Sequence, residues 1–177
     1  LIITKQRNLD SWWLVYSKPT GHDLALYLND TSGATNALVW GSFTPNDKVF
    51  MYSEAAGDYI AYCFTNTEML QVGQYTGNGV VDGVFIGLPF KPAFFLSKGL
   101  DGDDWMMLDN AQSPFNSVDK SLAANDYKAE IDAPSKAVDF LSNGIKMRNA
   151  DNGLNQSGRS YLYLAISEQS FKNSRGR

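Results

Sequence analysis

The chain is poor in the residues that build most catalytic and metal centres. It has one cysteine, Cys63, and one histidine, His22, in 177 residues. A single cysteine excludes an internal disulfide and any zinc site of the CxxC type. A single histidine excludes His-rich metal centres such as HExxH. Charge is scarce too: charged residues make up 19% of the chain, and the formal net charge is −4. No polybasic tract attracts nucleic acid or an anionic membrane, so partners of either kind are not expected. No apolar run approaches the roughly 20 residues of a membrane span. No signal-peptide pattern is visible.

Aromatic residues and glycine are plentiful. Aromatics reach 13%, hydrophobic residues 44%, and there are 15 glycines. Aromatic strands punctuated by glycine and polar turn formers point to an all-β chain and away from disorder. The length suits one domain or two very small ones. The first residues, Leu1-Ile2-Ile3-Thr4-Lys5, read as the inside of a strand. They suggest the C-terminal piece of a longer polypeptide, an expectation that the mass of the intact native protein would check.

Strand candidates follow at short intervals. They are Leu1 to Lys5, Trp12 to Tyr16, His22 to Leu28, Ala37 to Trp40, Lys48 to Tyr52, Tyr59 to Phe64, Phe90 to Leu96, Trp105 to Leu108 and Tyr161 to Ile166. Leu24, Leu26 and Leu28 alternate and so share one face. Val72 to Gly87 reads as turns between short strands. Pro92 belongs at a strand start or an edge. Ala111 to Lys136 reads as irregular, with room for one short helical turn. Val138 to Arg148 reads as a hairpin, with Asn143-Gly144 as a type I′ turn. Many short strands with turns between them indicate a β-sandwich.

The two halves of the chain match in order. Leu1 to Lys5 resembles Phe94 to Lys98, and Trp13 to Tyr16 resembles Trp105 to Leu108. Tyr27-Leu28-Asn29 resembles Ala123-Ala124-Asn125, Lys48 to Met51 matches Gly144 to Met147, and Tyr59 to Phe64 resembles Tyr161 to Ile166. The chain therefore divides into a first β unit, residues 1–70, truncated at its start, and a second, residues 71–177. The two units together form one sandwich in this reading.

The second half carries a further resemblance. Its elements are Gly73 to Gly79, Phe90 to Phe94, Trp105 with Leu108 to Ala111, Ser113 to Asn116, Leu122 to Asn125, Asp139 to Arg148 and Tyr161 to Ala165. In their order they resemble a repeated domain of poorly defined function in structural proteins of marine bacteriophages and cyanophages. A short basic tail such as Phe171 to Arg177 is similar to the ends of those proteins. Residues Asp101 to Asp104 depart from the pattern, being shortened and divergent. The resemblance implies a concanavalin-like or jelly-roll β-sandwich on the virion, in a tail fibre, tail tip or capsid surface. It implies other virion proteins and copies of the chain itself as partners. It carries no catalytic residues.

The candidate chemistry is sparse. Asp101, Asp103 and Asp104 are weak candidates for Ca²⁺ ligands, as oxygen donors on one loop, against the reading as a solvated turn. Asn149, Asp151 and Asn155 with Gly153 form a second such loop without EF-hand spacing. Glu54, Glu68, Glu130 and Glu168 lack the strand motif of paired glycosidase carboxylates. His22 beside Asp23 reads as an exposed turn, and no nucleophile elbow accompanies it. Cys63, inside an apolar strand, reads as a buried thiol. Trp12, Trp13, Trp40 and Trp105 are the ligand-binding candidates, because an exposed Trp stacks on sugar rings. Trp12 and Trp13, adjacent in a strand, should point to opposite faces. The reading is a noncatalytic virion protein without cofactor or metal, a tail-fibre or adhesin-like module contacting host-surface glycans. The alternatives are a capsid decoration or head-fibre protein and a polysaccharide depolymerase.

Overall fold

A computed structural model describes residues 1–21, 23–36 and 57–169. The fold is all-β, with antiparallel sheets consistent with a β-sandwich. Its strands are β1 (Ile2–Gln6), β2 (Leu14–Tyr16), β3 (Leu24–Tyr27), β4 (Thr35–Asn36), β5 (Tyr59–Cys63), β6 (Leu70–Thr76), β7 (Phe85–Gly87), β8 (Pro92–Gly99), β9 (Trp105–Asp109), β10 (Lys120–Ala123), β11 (Ile131–Asp132), β12 (Val138–Leu141), β13 (Gly144–Met147) and β14 (Ser160–Ser167). The strands expected over 37–40 and 48–52, with His22, Trp40, Glu54 and the tail from 171, lie outside the described residues.

Among the described residues the strands form three sheets. The first has the order β4-β3-β2-β1-β5, the second β11-β10-β9-β8-β14-β6, and the third β12-β13-β7. The second sheet is buried on both faces. Leu96, Trp105, Leu162 and Leu164 face a core shared with Leu1, Ile3, Val15 and Leu26 of the first sheet. Phe95, Met106, Leu108, Tyr163 and Ala165 face a core shared with Ile86, Phe140, Ile145 and Met147 of the third. Burial on two faces explains why β8 and β14 read as continuous apolar runs and not as alternating ones. Leu26 and Leu28 do share a face, toward the first of these cores.

The first two sheets have one frame. Ile3 pairs with Val15 and Tyr62, while Leu96 pairs with Met107 and Leu164. Val15 pairs with Leu26, and Met107 with Leu122. Ala25 pairs with Thr35, and Ser121 with Ile131. Every pair in the first sheet has its counterpart in the second at a constant offset within each strand. Among the described residues the second sheet alone carries an additional strand, β6, outside β14.

Two local expectations need correction. β10 and β11 fall inside the stretch read as irregular. Lys120 to Ala123 has weak β-propensity, and its pairing with β9 makes it a strand. The short helical turn anticipated there is a 3₁₀ turn at Pro134–Lys136. The hairpin β12–β13 is present, with Leu141 opposite Gly144, but its turn is not type I′. Ser142 and Asn143 keep negative φ, and the positive value, 153°, belongs to Gly144. A Cβ on Gly144 would lie 2.1 Å from the Ile86 carbonyl oxygen. The glycine is needed for the close approach of β7.

Candidate functional site

The acidic loop after β8 is built around two cations of its own chain. Arg159, just before β14, pairs through Nε with Asp101 and through Nη1 with Asp103 at 3.1 Å. It also donates to the carbonyls of Asn152 at 2.6 Å and Gly102 at 2.8 Å. Its side chain is only 8% exposed. Gly99 makes room for it, since a Cβ there would stand 2.7 Å from the guanidinium carbon. Burial pushes the Asp103 carboxyl up, but the Asp104 N–H and Arg159 outweigh it and hold it below the ordinary range.

Lys98 is the second cation, buried in β8. Its ammonium donates to the carbonyls of Asp103 at 2.5 Å and Asp30 at 3.1 Å, and lies 5.7 Å from the Trp105 ring centroid. Burial brings its pKa down to about 8, against the opposing pull of Asp30, Asp103 and Asp104. Asp104 in turn accepts from Asn125 at 2.8 Å. The three aspartates are thus engaged in holding the loop together. Among the described residues no group of three His, Cys, Asp or Glu is placed to hold a metal ion. The sequence reading did not find this cluster; Lys98, a lysine embedded in an apolar strand, is the signal that could have pointed to it.

The second Asx-rich loop is also a structural brace. Asn155 donates to Asn149 O at 2.6 Å and to Val80 O at 3.0 Å, while Asp151 accepts from Lys136 at 2.7 Å. The glutamates are dispersed: Glu68 is exposed before β6, Glu130 faces Lys120 at 3.6 Å, and Glu168 faces Lys91 at 2.9 Å.

The tryptophans separate by burial. Trp105 is 1% exposed and donates through Nε1 to the Tyr27 carbonyl at 2.8 Å. It belongs to the core and presents no surface to a ligand, because the first sheet covers it. Trp13 is half-buried against the same core, with its ring 6.4 Å from Tyr62. Trp12 points the other way. It is 54% exposed, with its ring centroid 5.2 Å from that of Tyr27 at a 54° tilt. Trp12 and Tyr27 form the exposed aromatic surface among the tryptophan candidates; Trp40 lies outside the described residues.

A family model described as a domain of unknown function, DUF7483, matches residues 1–170. The chain belongs to that family. No curated protein and no solved structure matches it.

In this DUF7483 domain Cys63 departs from expectation. The thiol is exposed rather than buried, because among the described residues its apolar strand β5 is the edge of the first sheet and not its centre. A groove of about 510 Å³ opens beside it, lined chiefly by Phe64, Met69, Leu70 and Ile166.

Proposed function

We propose that this domain is a noncatalytic structural module of a bacteriophage virion, of tail-fibre or adhesin type, that contacts host-surface glycans. The half-exposed Trp12, tilted against Tyr27, carries the proposal. Such a pair offers a sugar ring an apolar face with a polar tip beside it. The virion setting rests on the resemblance to phage structural proteins. The engagement of Asp101, Asp103 and Arg159 with one another supports a structural role for the acidic loop.

Glycan-array binding of the protein and of Trp12→Ala tests the reading. The parent protein should bind a defined glycan class, and the variant should lose at least about tenfold in affinity with its melting temperature unchanged, as expected for an exposed side chain. Binding that survives the substitution, or no binding on any array, would sink it. Release of sugar from a bound polysaccharide would replace it with the depolymerase reading.

A further inference from the structure

Thr4 and Ser97 occupy the same register position in the two sheets, opposite Ala61 and Tyr163 respectively. Ser97 Oγ lies 3.0 Å from the hydroxyl of Tyr75 in β6, the strand that covers the outer edge of β14. In the first sheet β5 takes the place of β14, and among the described residues no strand lies on its outer edge. Thr4 Oγ1, in a side chain 1% exposed, has no hydrogen-bond partner among the described residues. A buried hydroxyl left unpaired is destabilising.

The edge is otherwise equipped for a strand. Asp58 O accepts from Arg7 N, and Phe64 N donates to Leu1 O. The even-numbered residues of β5 therefore direct their backbone groups to β1, and Ala61 and Cys63 direct theirs to the open side. Ile60 and Tyr62, at the positions of the buried Leu162 and Leu164, are 39% and 45% exposed.

We propose that the outer edge of β5 is an acceptor site for an antiparallel β-strand with the chemistry of β6. The incoming strand carries apolar side chains toward the core shared by the first two sheets, as Leu70 and Val72 do. On its other face it carries a tyrosine whose hydroxyl pairs with Thr4. Recognition is by strand addition: the backbone of Ala61 and Cys63 holds the strand, and Thr4 reads its tyrosine. This does not depend on glycan binding.

The lone cysteine reports the register. Ala165 of β14 faces Gln71 of β6, and Cys63 stands where Ala165 does. Residues in a hydrogen-bonded antiparallel pair lie about 5.5 Å apart at Cα, within disulfide reach. The intact protein is incubated in a glutathione redox buffer with synthetic peptides of residues 66–78, each carrying Gln71→Cys, Val72→Cys or Gln74→Cys. Mixed disulfides are quantified by mass spectrometry. The Gln71→Cys peptide should be captured about tenfold more than the other two. Adding Tyr75→Phe to that peptide should lower capture several-fold, and the Thr4→Val protein should no longer distinguish tyrosine from phenylalanine. Equal capture at the three positions, indifference to Tyr75→Phe, or a Cys63-linked dimer that outruns peptide capture would overturn the proposal.

Discussion

Trp13 and Trp105 stand at one position in two copies of the same frame. The Trp13 N–H donates to Asn29 Oδ1 at 3.0 Å, and the Trp105 N–H to Asn125 Oδ1 at 2.7 Å. The Trp13 carbonyl accepts from Leu28 at 2.9 Å, and the Trp105 carbonyl from Ala124 at 2.8 Å. Lys5 and Lys98 also correspond, and each ammonium bonds the carbonyl of the loop that follows, Leu9 at 2.9 Å and Asp103 at 2.5 Å. Their surroundings differ. Trp105 and Lys98 are sealed by the first sheet and its loops, where Trp105 bonds the Tyr27 carbonyl and Lys98 the Asp30 carbonyl. Trp13 and Lys5 keep contact with solvent. Backbone register and local side-chain bonds persist where burial changes, because they depend on the strand's own neighbours. Burial depends on which layers lie above and below.

The largest effect should come from the tryptophans. Trp105→Ala should cost about 3–5 kcal/mol and Trp13→Ala about 1–2 kcal/mol in urea unfolding. Equal losses would break the distinction between a sealed and an open layer. Next comes β6, the edge strand that among the described residues only the second sheet has. Gly73 pairs with Tyr163, and a Cβ there would stand 2.8 Å from the tyrosine ring. Gly73→Ala should cost about 1–3 kcal/mol. The penalty should vanish in a Tyr163→Ala background, which places in β14 the residue that β5 has at Ala61. A penalty that persists in the double variant would point to backbone strain instead.

The asparagines sharpen the comparison further. Asn125→Ala removes bonds to both Trp105 and Asp104 and should cost about 1–2 kcal/mol, whereas Asn29→Ala, at an exposed site, should cost under about 1 kcal/mol. Chemical denaturation of the two variants reads the difference.

The smallest effect is the pH dependence of Lys98. Its pKa is lowered to about 8 in the folded chain, against about 10.4 in an unfolded one. Between those values the unfolded state binds more protons, so stability rises with pH across the window and is lost as pH falls through 8. Relative to Lys98→Met, the parent protein should gain about 1 kcal/mol between pH 8 and 9. A difference that is flat with pH would show that the ammonium is not desolvated by its layer.

Much of the frame was legible in the residues. The aromatic and β-branched runs at Tyr59 to Phe64 and Tyr161 to Ile166 are strands, and Pro92 begins one, where its missing N–H is harmless. The matches read between the halves name the same residues that the register sets at equivalent positions, apart from Lys48 to Met51, which lies outside the described residues. Strands β10 and β11 were not legible, since Lys120 to Ala123 has little β character and owes its form to β9. Cys63 was misread for a related reason: an apolar strand has the same pattern at the centre of a sheet and at its edge. At the candidate surface, Trp12 and Trp13 were read correctly as pointing apart. That Trp105 is core, and that Asp101 and Asp103 grip Arg159 from 56 or more positions away, needed the assembled sheets.

The sequence by itself determined the all-β class, the position of most strands and the shared order of the two halves, because period-two side-chain alternation and turn chemistry are local. Only the tertiary structure decided which of two equivalent tryptophans is sealed, and which of two equally buried hydroxyls is paired. Trp13 and Trp105, or Thr4 and Ser97, have nearly the same neighbours along the chain and within the sheet. The layer packed above them, and the edge strand that β6 supplies to the second sheet, come from residues far away in sequence.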